Sequence, residues 1–140
     1  MRILGLDVGD RFIGVALSDA LGLTAQPLAR IDRRQTAAAD QAVATLAAQH
    51  EAQRIVIGLP LTLRGEEGPQ AGKVRAFAAR VQRRARVPVE FVDERLTTAQ
   101  GQRALLEAGA SRRTRKQVID QVAAQLILQH YLDAHRPTAS

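Results

Sequence analysis

The sequence has 140 residues, no cysteine, 20 basic and 14 acidic side chains, and a net charge of +6 with a pI near 11.1. Its length predicts a single domain, which we place at residues 1–135, with a flexible tail at 136–140. The absence of cysteine excludes disulfides and cysteine-based zinc sites, and no apolar run is long enough to span a bilayer. The sequence opens directly on a strand pattern, so we expect a cytoplasmic protein.

The positive charge favours a polyanionic partner, because arginine forks match the geometry of phosphate groups. A GC-rich coding sequence would also enrich arginine, although it explains the positive sign less well. Aromatic residues make up only 3% of the chain, which argues against base-stacking platforms for single strands. Any bound nucleic acid would be held by its backbone and its shape.

Three strands are predicted at the beginning of the chain. Residues 2–8 and 13–18 are apolar strand patterns joined by the tight turn Gly-Asp-Arg-Phe, which is typical of a hairpin. Residues 25–32 predict a third strand, and Pro27 restricts it to a sheet edge or a strand start.

Strands and helices alternate in the rest of the chain. Residues 54–60 and 87–94 predict strands, separated by a polar, glycine-rich loop at 61–72 and a helix that runs from Val74 to Ala85. The other predicted helices cover 35–51, 95–109 (capped by Thr97 or Thr98 and ended by Gly109) and 112–134. The order predicts an α/β fold with a mixed five-stranded sheet, a three-strand antiparallel meander followed by parallel strands, flanked by helices.

Carboxylates occur at three places where burial is expected. Asp7 ends the first strand, Asp93 and Glu94 end the last, and Asp120 lies in the final helix on the side of its small and apolar residues. Clustered carboxylates are tolerated when divalent cations lie between them, and oxygen ligands alone favour Mg²⁺ or Mn²⁺. Two such ions can activate water and stabilise the leaving oxygen in phosphodiester cleavage.

Each acid also has a structural interpretation. Asp7 could accept hydrogen bonds from turn amides, Asp93 or Glu94 could pair with Arg95 or cap the next helix, and Asp120 could pair with Lys116. Successive strand side chains alternate between faces. Only one of Asp93 and Glu94 is therefore needed at a common site, and periodicity does not select between them.

Four ordered segments resemble the YqgF/RuvX family and together span residues 2–133. They are GLDVGDRFIGVALSD, IVIGLPLTLRGEEG, FVDERLTT and RKQVIDQVAAQLILQHYL. The resemblance implies a ribonuclease-H-like fold, with which the element order is compatible. It also implies a metal-dependent endonuclease that matures the 5′ end of pre-16S ribosomal RNA, or a Holliday-junction resolvase. Carried over by motif, the family's acidic triad falls on Asp7, Glu94 and Asp120, which selects Glu94 over Asp93.

Two departures from the family pattern bear on the substrate. Asp10 stands where the family usually has Thr or Ser, adding a negative charge beside the expected site. Residues 61–66, Leu-Thr-Leu-Arg-Gly-Glu, replace the commoner Leu-Asn-x-Asp-Gly-Thr, and Arg64 reverses a charge there. We expect the 61–72 loop to close over substrate.

Basic residues near the acids are candidates for phosphate contacts. Those expected to bind nucleic acid are Arg112, Arg113, Arg115 and Lys116 before Asp120, Arg95 at the scissile phosphate, and Arg64. A second group, Arg80, Arg83, Arg84 and Arg86, lies near another helix end, where Arg83 and Arg84 equally fit a solvated face.

The main hypothesis is an endonuclease that acts on structured nucleic acid, either precursor rRNA or branched DNA, with no membrane partner. Junction cutting would require a two-fold dimer, so the protein is expected to be a monomer or a homodimer. A nucleotide-binding protein is the first alternative, because residues 7–19 are similar to the phosphate-binding hairpin of sugar kinases and actin-like ATPases. A non-catalytic nucleic-acid-binding factor is the second.

Overall fold

The computed structural model describes residues 1–96 and 112–136, and the side chains of residues 1–95 and 121–136. The predicted helix at 95–109 lies almost wholly outside the described residues, together with its caps Thr97, Thr98 and Gly109. Of the predicted tail, residues 137–140 also lie outside them. No helix within the described ranges combines the length and the apolar character that crossing a membrane requires.

Five strands and three helices are described. The strands are β1 (Arg2–Val8), β2 (Phe12–Ser18), β3 (Ala25–Asp32), β4 (Ala52–Leu59) and β5 (Val89–Asp93). The helices are α1 (Ala39–Gln49), α2 (Pro69–Ala85) and α3 (Arg112–Ala134), and a 3₁₀ turn, Glu94–Leu96, follows β5.

The strands form one sheet in the order β3-β2-β1-β4-β5. The pairs β1–β2 and β2–β3 are antiparallel, whereas β1–β4 and β4–β5 are parallel. This confirms the predicted mixed sheet and the hairpin. Pro27 lies on the edge strand β3, as its missing N–H requires, next to a register shift between Val15 and Ala16 of β2.

Several predicted boundaries were wrong. The helix expected from Val74 begins at Pro69, because Pro69 occupies the first helical turn, where its missing N–H costs nothing, after the extended Gly68. The predicted 61–72 loop therefore ends at residue 68. Strand β5 ends at Asp93, so Glu94 belongs to the 3₁₀ turn and not to the strand. Helix α1 is also shorter than the predicted 35–51.

The sheet separates two apolar layers. Alternate residues of β1 and β4, such as Leu6 and Ile57, pack with Phe77 of α2 in the larger layer. On the opposite face, Val56 packs with Ile127 and Leu128 of α3. The two faces follow from the alternation of side chains along a strand.

Helix α3 runs antiparallel to β4. The Tyr131 hydroxyl accepts a hydrogen bond from Arg54 Nη1 at 2.6 Å, near the start of β4. Earlier on the helix, Ile127 lies over Gly58, near the end of β4. The beginning of α3 is thus directed toward the carboxyl ends of β1 and β4.

Candidate functional site

Asp7 lies near the carboxyl end of β1, the central strand, on the sheet face that carries α3. It is two residues beyond Gly5, which packs directly against Leu128 of α3, and strand alternation places both on that face. Asp7 pairs with Gly14 of β2, and its side chain is half-buried. The predicted carboxylate therefore stands at the sheet end where parallel strands present ligands.

Glu94 reaches inward across β4. Its Cγ lies 3.5 Å from the position that a Cβ on Gly58 would occupy. The register Leu6–Ile57 places Gly58 beside Asp7 at the next step of the parallel ladder. Strands β1 and β5 are about 9–10 Å apart at sheet spacing, and the missing side chain at position 58 leaves room for Glu94 to extend over this gap.

Gly58 is a site-shaping residue that the sequence reasoning missed. A side chain there would come within 2.5 Å of Ile127 Cδ1. The available signal was the glycine inside the apolar run Ile-Val-Ile-Gly-Leu, since an isolated strand glycine marks close approach of another segment.

Asp93 is bonded to Arg95. Arg95 donates from Nη2 to Asp93 Oδ2 at 2.6 Å and from Nε to Oδ1 at 3.0 Å, and its backbone N–H donates to Oδ1 at 3.0 Å. These bonds from Arg95 hold the pKa of Asp93 below its usual value and raise the pKa of Arg95. The structure thus separates the roles of the two neighbouring acids: Asp93 positions Arg95, and Glu94 points over the sheet.

Arg95 also holds the loop after β4. Its Nη1 donates to the carbonyl oxygens of Thr62 and Leu63 at 3.3 and 3.4 Å. Within the loop, the Thr62 N–H donates to the Glu66 carbonyl at 2.8 Å, and the Gly65 N–H donates to the Thr62 carbonyl at 2.8 Å. The segment 62–66 is therefore a closed turn tied to β5 beside Glu94.

Arg64 lies at the tip of this turn with an exposed side chain. Leu63 beside it is 99% exposed, more than any other large apolar side chain among the described residues. The φ of +80° at Gly65 allows the turn to close so tightly. Arg64, the predicted phosphate ligand, thus lies on the 62–66 turn, which Arg95 holds beside Glu94.

Asp120 lies in α3, seven residues before Ile127 and four before Ala124. Because α3 runs antiparallel to β4, this position falls toward the sheet end that carries Asp7. The side chain of Asp120 lies outside the described residues, as do those of Arg112, Arg113, Arg115 and Lys116. The backbone of residues 112–120 forms the beginning of the same helix.

The described donors fit a hard divalent cation. Asp7 and Glu94 offer only oxygen ligands, which suit Mg²⁺ and Mn²⁺. Among the side chains of residues 1–95 and 121–136, no three histidine or acidic groups are close enough to hold an ion. The predicted third ligand, Asp120, is beyond that part of the chain.

The fold is that of the RuvC-like nucleases. T. thermophilus RuvC in complex with a Holliday junction substrate matches with a TM-score of 0.64 at 18% identity, over 100% of this chain and 99% of that one. The fowlpox virus Holliday junction resolvase matches with a TM-score of 0.57 at 13% identity, over 96% and 99% of the two chains. At these identities the similarity concerns the fold.

The chain belongs to the RuvX family, whose model, described as "RuvX: Holliday junction resolvase", matches residues 1–134. Two relatives carry the name "Putative pre-16S rRNA nuclease". The one from Myxococcus xanthus is 53% identical over 98% of this chain and 91% of its own. The one from Moorella thermoacetica is 56% identical over 95% of both chains. The resemblance of the four sequence segments is thereby confirmed.

Proposed function

We propose that this protein is a divalent-metal-dependent endonuclease that matures the 5′ end of precursor 16S rRNA, in the cytoplasm where that RNA is made. The observation that carries the proposal is the placement of Glu94 over Gly58, on the strand that separates it from Asp7. Two acids from distant parts of the sequence thus approach one end of the sheet. The names of the two relatives support the choice of substrate.

Asp7, Glu94 and Asp120 are the proposed metal ligands. When bound, Mg²⁺ or Mn²⁺ supplies an activated water and stabilises the leaving oxygen of the phosphodiester. The protein's part is to hold carboxylates on a rigid sheet and helix, so that the reacting phosphate meets them in a fixed geometry. Gly5 of β1 and Gly58 of β4 allow α3, and with it position 120, to lie close to the sheet.

The basic side chains hold the substrate in this proposal. Arg112, Arg113, Arg115 and Lys116 at the beginning of α3 neutralise backbone phosphates, and Arg64 does so from the braced turn. Arg95 is one residue from Glu94, and we assign it to the scissile phosphate. Its Nη1 and Nη2 remain oriented by Thr62 and by Asp93 in the absence of substrate.

The test is cleavage of an end-labelled precursor 16S fragment with Mg²⁺ or Mn²⁺. Wild type should release the mature 5′ end, whereas Asp7→Asn and Glu94→Gln should still bind the RNA and lose cleavage by at least about 10²-fold, the scale of removing one catalytic group. Absence of cleavage with either metal, or full cleavage by Asp7→Asn, contradicts the proposal and favours a non-catalytic binding factor.

Junction resolution is the second candidate, because the family description names it. It requires two active sites related by two-fold symmetry. Cleavage of a four-way DNA junction at rates above those for precursor RNA, together with a solution mass of two chains, would favour it. A monomer that cuts only RNA would exclude it.

A further inference from the structure

A basic cavity lies on the sheet face opposite α3. It has a volume of about 460 Å³ and opens between the β1–β2 turn, the end of β3 and α2. Its polar lining consists of Asp10, Arg33, Gln70, Lys73 and Arg80. Apart from Arg80, which we noted only as part of a basic helix end, none of these cations was singled out by the sequence.

Both arginines of the cavity are held in place by the protein. Arg33 Nη1 donates to the Gly9 carbonyl at 2.8 Å, which links the end of β3 to the β1–β2 turn. The guanidinium carbons of Arg33 and Arg80 lie 5.1 and 5.5 Å from the centroid of the buried Phe77 ring. Two guanidinium groups beside one ring are at most about 11 Å apart, and a bound anion would reduce their mutual repulsion.

The charge of the cavity favours an anion. Arg33, Lys73 and Arg80 supply three positive charges, and Asp10 is the only carboxylate that lines the cavity among the described side chains. Asp10 has two partners within the cavity. Its Oδ1 lies 3.7 Å from Lys73 Nζ and accepts a hydrogen bond from Gln70 Nε2 at 3.4 Å. The cavity therefore has a net positive charge and arginine forks that suit phosphate.

The cavity adjoins the candidate active site through β1. Val8, which lines it, directly follows Asp7 and faces the opposite side of the sheet. Asp10 is three residues beyond Asp7, so their Cα atoms are at most about 11 Å apart. A strand that crosses the carboxyl end of β1 would pass from the acids to this cavity.

We propose that Arg33, Lys73 and Arg80 bind a backbone phosphate of the nucleic acid, flanking the phosphate that is cut. This inference rests on the proposed function. It extends the nucleic-acid contact surface of the protein to the sheet face opposite α3. The contact is independent of base identity, because only phosphate oxygens are recognised. Asp10 lowers the affinity of this contact by its negative charge.

The experiment measures binding of the precursor 16S fragment in EDTA, over a range of salt concentrations. Lys73→Gln with Arg80→Gln should weaken binding and reduce the slope of log K against log salt by about 1, as expected for the loss of one phosphate contact. The matched control is Arg83→Gln, an exposed arginine of the same helix that does not line the cavity. An equal slope for the double variant and the control overturns the inference.

A second variant with the opposite expected effect on binding is needed, because weaker binding by the double variant could also result from misfolding. Asp10→Asn retains the size of the side chain and removes the negative charge, so it should tighten RNA binding several-fold. Unchanged or weaker binding by Asp10→Asn counts against the pocket. Because binding is measured without metal, failure of the pocket is distinguishable from failure of cleavage, which would contradict the proposed function instead.

Inorganic phosphate is the alternative ligand for the cavity, because it offers the same oxygen acceptors as a backbone phosphate. If the cavity binds an isolated anion, inorganic phosphate should raise the Tm of wild type and not of the double variant, while RNA binding by the two proteins has the same salt dependence. That result would overturn the assignment to the nucleic acid backbone. A reduction of the RNA salt slope by about 1 in the double variant supports it.

Discussion

Gly5 of β1 lies so close to Leu128 of α3 that a Cβ on Gly5 would be 2.7 Å from the Cβ of Leu128 and 3.2 Å from the Ala124 carbonyl oxygen. Neither neighbour is the free end of a side chain, so neither can move without shifting the helix. Gly58 of β4 makes a similar approach to Ile127, at 2.5 Å from Cδ1. The closeness of helix and sheet thus depends on two residues that have no side chain.

We expect Gly5→Ala to lower the free energy of unfolding by about 1–3 kcal/mol, the range for overpacking a well-packed core. Gly58→Ala should cost less, because the tip of Ile127 can rotate away. Urea denaturation of each variant measures these changes.

The matched control is Gly72→Ala in α2, where an added Cβ meets nothing within 4 Å. Alanine within a helix restricts the unfolded chain, so this change should stabilise by up to about 1 kcal/mol. A stabilised Gly5→Ala protein would show that α3 does not pack as closely as described.

Metal binding should be visible in thermal stability without any nucleic acid. At ten times its dissociation constant, an ion bound only by the folded protein adds about 1.4 kcal/mol to the free energy of unfolding. We expect this gain for wild type in Mg²⁺ or Mn²⁺ and a smaller one for Asp7→Asn, measured as the shift in Tm. Asp10→Asn is the control, since it lies in the neighbouring turn and should retain the shift. Equal shifts for wild type and Asp7→Asn would exclude Asp7 as a ligand.

The bracing of the 62–66 turn should depend on the fork of Arg95 and not on its charge. Arg95→Lys retains the charge but loses the simultaneous bonds to Asp93 and to the carbonyls of Thr62 and Leu63. We therefore expect trypsin to cut after Arg64 several-fold faster in this variant than in wild type. Mass spectrometry of the fragments over time measures the rate.

A suitable comparison is Arg11→Lys, which changes an exposed pair with Asp32 on the β1–β2 turn. It should leave cleavage after Arg64 unchanged. If Arg95→Lys is cut no faster than Arg11→Lys, the turn is stabilised by its own hydrogen bonds alone.

An ion pair between α1 and α2 predicts a pH dependence of stability. Arg84 Nε donates to Asp40 Oδ2 at 2.7 Å, and this bond holds the pKa of Asp40 below its usual value. A depressed folded-state pKa stabilises the protein above the unfolded value of about 4, and this contribution is lost as the pH falls through the lower folded value. Asp40→Asn should therefore cost about 0.5–1 kcal/mol at pH 7 and nothing in strong acid.

Urea denaturation from pH 7 to pH 2 tests this expectation. Arg84→Gln removes the same pair from the other side and should flatten the pH dependence in the same way. Additive effects of the two substitutions at pH 7 would show that the pair contributes nothing.

The sequence allowed prediction of the sheet because its signals are local. The hairpin at residues 9–12, the edge position of Pro27 and the alternation of strands with helices follow from backbone preferences within a few residues. The early beginning of α2 was missed because glycines and glutamates precede Pro69 and resemble a loop, although proline at the first helical position is favourable.

The candidate site was less accessible to local reasoning. Alternation left Asp93 and Glu94 equivalent, and only the family resemblance favoured Glu94. One physical reason is distant in the chain, because Gly58 makes room for Glu94. The other is local, because Arg95, two residues further on, binds Asp93. The basic cavity was missed because its residues are distant in the chain. Arg33 and Arg80 come near each other only in the folded protein, where both lie beside the ring of Phe77.

Pro27 has a consequence for how copies of this protein meet. Strand β3 is an outer strand, and its proline and the adjacent register shift interrupt the row of backbone donors and acceptors that a second sheet would need. Growth of a continuous sheet across that border is therefore discouraged. Association of two molecules is therefore favoured through helices or loops over strand addition at β3.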